Sequence, residues 1–441
     1  MTGVQRVLVA NRGEIVVRIA RTARRLGIAT VAIHSDADRD APHVRACDDA
    51  LGIGGFAATE SYLRIDRILE AAHIAHADAI HPGYGFLAEN PEFAAAVEAA
   101  GLTFIGPPPA AIAAMGDKAR ARRRMAAAGI RVLPGYDGEA QDEATLRQHA
   151  ARVGFPVMVK AAAGGGGRGM RLVHAEPELA AALRAATSEA RKAFGDGRLI
   201  LERALVEPRH VEIQVLADRH GHVIHLGERD CSVQRRFQKV VEEAPSPAVD
   251  AALRERMGAA AVAVARAIGY FGAGTVEFLL DRDGTYYFME MNTRLQVEHP
   301  VTECITGLDL VELQFRVARG EPLPLQQDDV TLRGHAIEVR LCAESPADDF
   351  MPGSGPVVDW HVPPGVRCDH ALAPGSTVTA WYDSMVAKLI AHAPTRAECV
   401  ERLADALDHT VLLGLPSNRA FLARVLRHEA FVTGRDVSTA F

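Results

Sequence analysis

Two glutamates in one predicted hairpin constrain the fold of this chain more than any other feature. Residues 274–300 read GTVEFLLDRDGTYYFMEMNTRLQVEHP, and the Asp-Gly pair at 283–284 predicts a hairpin with a two-residue loop. Counting back along both strands places Glu277 directly opposite Glu290. Facing carboxylates, about 4.5 to 5.5 Å apart at Cβ, destabilise a sheet. The pair therefore predicts a shared proton or, as we favour, a bound divalent cation.

The second strand of that hairpin carries polar side chains at every other position. Its apolar residues are Met289, Met291, Leu295 and Val297, and its polar residues are Glu290, Asn292, Arg294, Gln296 and Glu298. Because side chains alternate between the two faces of a strand, the polar set would share one face. The alternative is a solvated face, which more often carries Lys, Thr and Ser. The mixture predicts a lined site with metal ligands, a cation for an anionic substrate and a carboxylate able to act as base.

The start of the chain predicts an α/β fold. Residues 6–34 have the pattern of strand, turn, helix and strand, and the α/β pattern continues to about residue 115. The turn NRGE is not GxGxxG, which disfavours a dehydrogenase. A strand, a glycine-rich loop and a helix over about 132–204 predict a small separate lobe. The length of 441 residues agrees with two to four domains.

Composition disfavours several classes of partner. The net charge of −7, without a basic stripe, disfavours nucleic acid. The six cysteines lie far apart without a CxxC pair, which argues against a zinc site and a disulfide framework, and for a reduced, cytoplasmic compartment. The first residues do not resemble an export signal and no apolar stretch reaches membrane-spanning length, so we expect no membrane partner.

Three further segments are candidates for binding anions. The loop AAAGGGGRGM at 161–170 follows Lys160, and successive glycines let backbone N–H groups approach phosphate oxygens. It lacks the GK[ST] of a Walker A loop, and a mobile surface loop is the alternative to a lid over phosphates. The strand at 209–218 brings His210, Glu212 and Gln214 together, although a polar sheet face is the simpler reading. The basic run at 232–245 is either a solvated loop or a contact for an anionic substrate.

Several of these segments resemble one known family. The motifs are ANRGEI, HPGYGFLAEN, GDK, VMVKAAAGGGGRGM, RHVEIQV, ERDCSVQRR, EEAPSP, GTVEF and EMNTRLQVEHPVTE. Together they resemble biotin carboxylase of the ATP-grasp superfamily, over about residues 4–436. The resemblance implies an α/β (α+β) fold with a Rossmann-like N-terminal domain at 1–115 and an ATP-grasp domain at 116–331. It also implies a mobile lid lobe at about 132–204 and a C-terminal biotin carboxylase domain at 332–441.

The resemblance also implies a role for individual residues. ATP would lie against Lys118, Lys160, Gly165, Gly166, Glu202, Leu205, His210 and Gln234. Two Mg²⁺ ions, or Mn²⁺ in their place, would lie on Glu277, Glu290 and Asn292. Bicarbonate would contact Arg294, Gln296, the backbone of Val297 and Lys239, whereas biotin would contact Tyr84 and Arg340. Glu298 would be the general base that deprotonates bicarbonate for attack on the γ-phosphate of ATP, and Arg340 would stabilise the biotin enolate.

The resemblance implies that biotin accepts the carboxyl group, and the expected protein partners depend on where that biotin is attached. No AMKM-like biotinylation motif occurs, so we expect the acceptor biotin on a carrier protein, or on a carrier domain beyond Phe441. We therefore expect a biotin carboxyl carrier, a carboxyltransferase subunit and a homodimer or larger complex, as in an acyl-CoA carboxylase α subunit.

Three alternatives stay open at this point. They are the biotin carboxylase part of a pyruvate or urea carboxylase, another ATP-grasp ligase that forms an acyl phosphate, and a nucleotide-binding regulatory module without turnover. Arg340 and the YDSM segment at 382–385 disfavour the other ligases. The joint presence of Glu298, Arg340 and Lys239 disfavours the regulatory module. The chain departs from the family pattern at Arg203, Phe237 and Cys342.

Overall fold

A computed structural model describes residues 3–163 and 170–441. The helices over that part of the chain are α1 (Glu14–Arg25), α2 (Pro42–Ala46), α3 (Ile65–Ile74), α4 (Pro91–Ala99), α5 (Pro109–Gly116), α6 (Lys118–Ala127), α7 (Glu143–Val153), α8 (Glu176–Phe194), α9 (Ala251–Ala267), α10 (His299–Thr306), α11 (Leu310–Ala318), α12 (Arg396–His409), α13 (Arg419–Arg427) and α14 (Glu429–Thr433). The strands are β1 (Arg6–Val9), β2 (Ala29–His34), β3 (Asp49–Gly52), β4 (Ala79–His81), β5 (Thr103–Phe104), β6 (Gly135–Tyr136), β7 (Val157–Ala161), β8 (Arg171–Val173), β9 (Leu199–Arg203), β10 (Arg209–Ala217), β11 (Val223–Arg235), β12 (Gln238–Ala244), β13 (Gly272–Leu280), β14 (Tyr286–Asn292), β15 (His335–Cys342), β16 (Glu344–Ser345), β17 (Met351–Pro352), β18 (Gly355–Pro356), β19 (Asp359–His361), β20 (Arg367–His370), β21 (Thr377–Val378), β22 (Met385–Ala393) and β23 (Val411–Leu413).

The N-terminal part is a parallel sheet with strand order β3-β2-β1-β4-β5. Strand β1 is covered on both faces, because Val7 and Val9 belong to one apolar cluster and Leu8 to another. A strand buried on both faces reads as a continuous apolar run, which is the pattern of residues 7–10. The predicted unit of strand, helix and strand is confirmed as β1, α1 and β2, and with it the α/β class.

A second, smaller sheet has strand order β6-β9-β7-β8. Its helices α7 and α8 pack on it through an apolar cluster that includes Leu146, Leu179, Leu183, Val157 and Leu201. All of these elements fall between residues 135 and 203. The segment for which the sequence predicted a small lobe therefore contains a sheet with its own apolar core.

The central feature is an eight-stranded antiparallel sheet with order β14-β13-β10-β11-β12-β15-β22-β20. Helices α12 and α13 pack against β15 and β22 through a cluster around Leu389, Leu403 and Leu422. Helix α9 packs against β10 and β13 through Met257 and Val264. Because this sheet continues from the middle of the chain into its C-terminal part, side chains far apart in sequence meet on one face.

The hairpin of β13 and β14 corrects one prediction and confirms another. Leu280 pairs with Tyr286, so the loop has five residues (281–285) and the predicted two-residue loop is wrong. The register then shifts by one residue between Phe278 and Glu277, which is the effect of a β-bulge. This shift brings Glu277 opposite Glu290, as the sequence predicted.

The predicted alternation through residue 298 is wrong beyond Asn292, where β14 ends. Residues 293–298 are irregular and lead into α10. Glu89 of the N-terminal part holds this segment, because its carboxylate accepts from the backbone N–H of Thr293 at 3.1 Å and from Arg294 Nε at 2.8 Å. The polar residues of 292–298 therefore converge from a bend rather than lie along one straight strand. In the described part of the chain, no helix combines the length and apolar character of a membrane span.

Candidate active site

Three glutamates lie side by side on neighbouring strands of the eight-stranded sheet. Glu212 of β10 pairs with Glu277 of β13, which pairs in turn with Glu290 of β14. Glu212 and Glu277 are buried, whereas Glu290 is partly exposed at the edge strand. Directly opposed like charges destabilise a sheet, so this row requires cations around it.

Lys239 of β12 is the cation that contacts two members of this row, Glu212 and Glu277, together with Glu298. Its Nζ lies 2.6 Å from Glu212 Oε2, 2.8 Å from Glu277 Oε1, 2.6 Å from Glu298 Oε1 and 3.2 Å from Gln296 Oε1. Burial lowers the pKa of Lys239, but the three carboxylates outweigh that effect and raise it well above its usual value. An ammonium group has three donors, so four acceptors exceed what it satisfies at one time.

Arg229 of β11 supports the row from within the sheet. Its side chain is fully buried, and its Nε donates to Glu212 Oε1 at 2.5 Å. Its remaining donors reach Gln214 at 2.7 Å, Thr302 at 2.9 Å and Thr275 at 3.1 Å. A buried guanidinium with every partner in place fixes the position of the carboxylate that it holds.

Glu298 connects Lys239 to Arg340. Its Oε2 lies 3.2 Å from Arg340 Nη2, and Arg340 Nε donates to Glu242 Oε1 at 2.6 Å. Burial raises the pKa of Glu298, but Lys239, Arg340 and Arg229 outweigh it and lower the pKa well below its usual value. Glu298 is therefore ionised at neutral pH and free to accept a proton, although the lowered pKa makes it a weaker base while both cations hold it.

The residues predicted to hold metal ions lie together. Glu277 Oε1 accepts from Asn292 Nδ2 at 2.8 Å, and Lys118 Nζ is bonded to Glu290 Oε2. Burial raises the pKa of Glu277, but Lys239 and other neighbours lower it well below its usual value, so the carboxylate is charged. Two carboxylates and a carboxamide oxygen form the hard oxygen donor set that Mg²⁺ prefers, so these residues fit a divalent cation.

The residues predicted to contact phosphates lie beside these carboxylates. Lys160 of β7 lies 2.5 Å from Glu202 Oε2, and Arg122 Nη1 lies 3.0 Å from Glu202 Oε1. Burial raises the pKa of Glu202, but Lys160, Arg122 and Lys118 lower it below its usual value. Lys118 and Lys160 therefore have carboxylate partners that anionic phosphates could replace. The predicted contacts Gly165 and Gly166 lie outside the described residues.

The residues predicted around adenine and ribose lie on or just after three strands, with Glu202 on β9, His210 on β10 and Gln234 on β11. Gln234 Nε2 lies 2.7 Å from His210 Nδ1, and His210 Nε2 lies 2.9 Å from Glu277 Oε2. Leu205 follows β9 and is half-buried. His210 thus connects the predicted nucleotide contacts to the predicted metal ligands.

The residues predicted for bicarbonate and biotin come from all three parts of the chain. Gln296 Nε2 donates to Glu277 Oε1 at 3.0 Å, and Arg294 Nη2 donates to Asn292 Oδ1 at 3.1 Å. The carbonyl oxygen of Val297 accepts from Lys388 Nζ at 2.6 Å, and that ammonium lies 5.9 Å from the centre of the Tyr84 ring. Apart from Leu205 and the two lid glycines, the sequence-predicted residues therefore lie in one region.

The three departures from the family pattern differ in their surroundings. Arg203 Nη2 reaches the hydroxyl of Tyr287 at 3.4 Å. Phe237, at the β11–β12 turn, is exposed. The Cys342 backbone N–H donates to Asn418 Oδ1 at 2.9 Å, and burial raises the pKa of the Cys342 thiol beyond the physiological range.

Sequence reasoning missed five charged residues of the site. They are Glu89, Arg122, Arg229, Glu242 and Lys388. A signal existed for Lys388, because a single lysine interrupts the otherwise largely apolar strand β22. Glu242 had none, since adjacent glutamates in a basic run look like a solvated segment.

The arrangement favours one kind of chemistry. An ionised carboxylate, Glu298, lies between two cations, and a set of oxygen donors for a divalent cation lies next to it. Cations that neutralise charge, beside an ionised base, are suited to activating a small anion for attack on a phosphoryl group.

Family models match nearly the whole chain. Residues 3–112 match "Biotin carboxylase, N-terminal domain", residues 117–326 match "Carbamoyl-phosphate synthase L chain, ATP binding domain", and residues 338–441 match "Biotin carboxylase C-terminal domain".

Relatives in sequence agree with these models. A biotin carboxylase of Nostoc sp. is 51% identical over 438 residues, which is 99% of this chain and 98% of that protein. The methylcrotonoyl-CoA carboxylase subunit alpha of Rattus norvegicus is 48% identical over 441 residues, which is 99% of this chain. The chain spans 62% of the length of the rat protein.

Solved structures have the same fold. The biotin carboxylase domain dimer of Hydrogenobacter thermophilus 2-oxoglutarate carboxylase, in complex with MgADP, ADP and bicarbonate, has a TM-score of 0.97 at 45% identity, covering 100% of this chain and 97% of that one. Rhizobium etli pyruvate carboxylase has a TM-score of 0.95 at 40% identity, covering 100% of this chain and 40% of that one.

Proposed function

Since the chain belongs to the biotin carboxylase family, we propose that it uses ATP and bicarbonate to carboxylate biotin carried by another protein or domain. The observation that carries the proposal is the chain of contacts from Glu277 through Lys239 and Glu298 to Arg340. It joins the candidate metal ligands to the candidate biotin residue within one buried site.

Bicarbonate contacts Lys239, Gln296 and Arg294 in this proposal, because their N–H donors suit a small planar anion. Glu298 takes the proton of bicarbonate, and the resulting oxyanion attacks the γ-phosphorus of ATP, so that ADP leaves and carboxyphosphate forms. Mg²⁺ on Glu277, Glu290 and Asn292 supplies charge neutralisation for the phosphates.

The phosphate groups of ATP lie against Lys118 and Lys160 in this proposal. Their present partners, Glu290 and Glu202, hold both ammonium groups at the place where we expect the phosphates to bind. His210, Gln234 and Leu205 contact the nucleoside. The lobe at about 132–204, including Gly165 and Gly166, acts as the lid that excludes water.

Carboxyphosphate then breaks down to CO₂ and phosphate, the phosphate removes the N1 proton of biotin, and N1 of the resulting enolate attacks CO₂ to form carboxybiotin. Arg340 faces the ureido oxygen and stabilises the enolate, and Tyr84 lies close to the ureido ring. Glu242 holds the Arg340 guanidinium at 2.6 Å, so the cation is oriented before biotin arrives.

The same proposal includes the division of the chain into domains at 1–115, 116–331 and 332–441. It also includes a cytoplasmic location and the use of Mn²⁺ in place of Mg²⁺. So do the partners, which are a biotin carboxyl carrier, a carboxyltransferase and a second copy of the chain. An acyl-CoA as final acceptor is supported by the 48% identity to the rat methylcrotonoyl-CoA carboxylase subunit. Pyruvate or 2-oxoglutarate is the alternative, since the family includes those carboxylases.

The test is ADP release by the purified chain with Mg²⁺, ATP and bicarbonate, with and without free biotin. We expect turnover that depends on bicarbonate, stimulation by biotin, and ¹⁴C-carboxybiotin from labelled bicarbonate. Turnover without stimulation by biotin and without carboxybiotin would refute the proposal. Stimulation by ammonia or an amine instead would identify a different ATP-grasp ligase.

A further inference from the structure

Lys388 is a fully buried cation that the proposed reaction does not use. It lies on β22, opposite Arg340 of β15 and Asp369 of β20. Its Nζ donates to the carbonyl oxygen of Val297 at 2.6 Å, and Glu14 Oε1 of α1 lies 3.4 Å away. One ammonium therefore joins all three parts of the chain.

Burying this charge is costly, and an apolar side chain would fill the same volume without the cost. Burial lowers the pKa of Lys388, but Glu14, Glu338 and Asp369 outweigh it and raise the pKa above its usual value. The side chain is therefore a charged donor, and the shortest contact it makes is with a backbone carbonyl rather than with a carboxylate.

The carbonyl that it contacts belongs to the irregular segment 293–298. That segment lies outside β14 and ends at Glu298, just before α10. Its first residues are held by Glu89, whereas Lys388 holds its last part at Val297. The two anchors lie on either side of Gln296, whose side chain contacts Glu277 and Lys239.

We propose that Lys388 is a positioning residue for the reaction. It fixes the backbone of residues 296–298, so that the side chains of Gln296 and Glu298 both face the bound bicarbonate. The inference rests on the proposed function. The ammonium does not reach the substrate itself; it acts through the backbone of Val297. A displacement of about 1 Å at a reacting group costs up to about a hundredfold in rate, so one anchor has a measurable effect.

The test compares Lys388→Met, Glu14→Gln and the double variant, each with the full chain. We expect Lys388→Met to raise the KM for bicarbonate by about tenfold or more, with the KM for ATP changed by less than about twofold. Glu14→Gln leaves the bond to Val297 in place, so its KM for bicarbonate should stay within about twofold of the unmodified chain.

The double variant separates positioning from ion pairing. Because it removes the Glu14 carboxylate together with the ammonium that pairs with it, we expect it to fold at least as well as Lys388→Met, by circular dichroism and thermal unfolding. We expect its KM for bicarbonate to stay raised, since the bond to Val297 is still absent. A normal KM for bicarbonate in Lys388→Met or in the double variant, or an equal rise in Glu14→Gln, would overturn the inference.

Failure of the proposed function gives a different result. If the unmodified chain lacks biotin-stimulated turnover, the proposed function fails before any variant is compared. If it turns over normally and Lys388→Met keeps its KM for bicarbonate, only the role of Lys388 fails.

Discussion

Replacing Glu298 by glutamine isolates the base of the proposed reaction. The amide has the same shape but accepts no proton near neutral pH. The variant should fold, because Lys239 keeps Glu212 at 2.6 Å and Glu277 at 2.8 Å, and Arg340 keeps Glu242 at 2.6 Å. Neither of these partly buried cations is left without a carboxylate, so the large penalty for an unpaired buried charge does not arise.

The size of the effect follows from the role. General base catalysis contributes about 10²- to 10⁴-fold, so kcat for bicarbonate-dependent ADP release should fall by that factor, or about 3 to 5 kcal/mol. Lys118 and Lys160 make their contacts with Glu290 and Glu202 rather than with Glu298. The affinity for ATP should therefore change by less than about twofold.

The assay is steady-state ADP release with bicarbonate and ATP varied separately, together with ATP binding by calorimetry. The matched control is Glu228→Gln, because Glu228 is equally buried and paired, but with Arg254 on α9. We expect the control to lose stability and to keep its kcat. A kcat within about threefold of the unmodified chain for Glu298→Gln would refute the assignment of Glu298 as base.

Three further predictions concern stability, metal and biotin. Burial raises the pKa of Asp309, but Arg18 of α1 outweighs that effect and lowers the pKa from 3.8 to about 2. At a pH above the unfolded pKa, the ionised Asp309 therefore adds about 2 kcal/mol to the free energy of unfolding. This contribution is lost as the pH falls from about 4 to about 2. Asp309→Asn should therefore unfold at lower urea concentration at pH 7, with the difference shrinking at pH 3; a constant difference contradicts this. Glu290→Gln should raise the Mg²⁺ concentration for half-maximal turnover by about tenfold, in a Mg²⁺ titration at fixed ATP, and an unchanged value removes Glu290 from the metal ligands. Asn418→Ala should raise the KM for biotin several-fold, because Asn418 Nδ2 donates to the Arg340 carbonyl at 3.0 Å; an equal loss of biotin-independent ATP hydrolysis would mean a general structural role.

Local patterns predicted the fold class because they depend on neighbours in sequence. The apolar run at 7–10, the amphipathic helix and the next apolar run define β1, α1 and β2 without knowledge of any distant residue. The eight-stranded sheet was not predictable in this way. Its strand order brings β10 between β11 and β13, and nothing in the local periodicity encodes that pairing.

The hairpin of β13 and β14 illustrates how a correct pair can follow from an incorrect loop. The Asp-Gly signal predicted a two-residue loop, whereas the structure has five loop residues and a bulge that shifts the register back. The two deviations cancel at Glu277 and Glu290. A turn signal specifies that a chain reverses more reliably than it specifies the register, since loop length and bulges both change the register by single residues.

Strand periodicity identifies the residues that share a face of one strand. The charge on a face of the sheet, however, is the sum over all the strands that pair in it. Glu212, Glu277 and Glu290 belong to three strands and form one row only through the pairing. Lys239 and Arg229 become necessary because that row exists, and each looks unremarkable within its own strand. When the polar face of one predicted strand carries an excess of one charge, residues of opposite charge are therefore expected on other strands of the same sheet. In this protein they arrive from β11 and β12, whose arginine and lysine complete the buried network around Glu298.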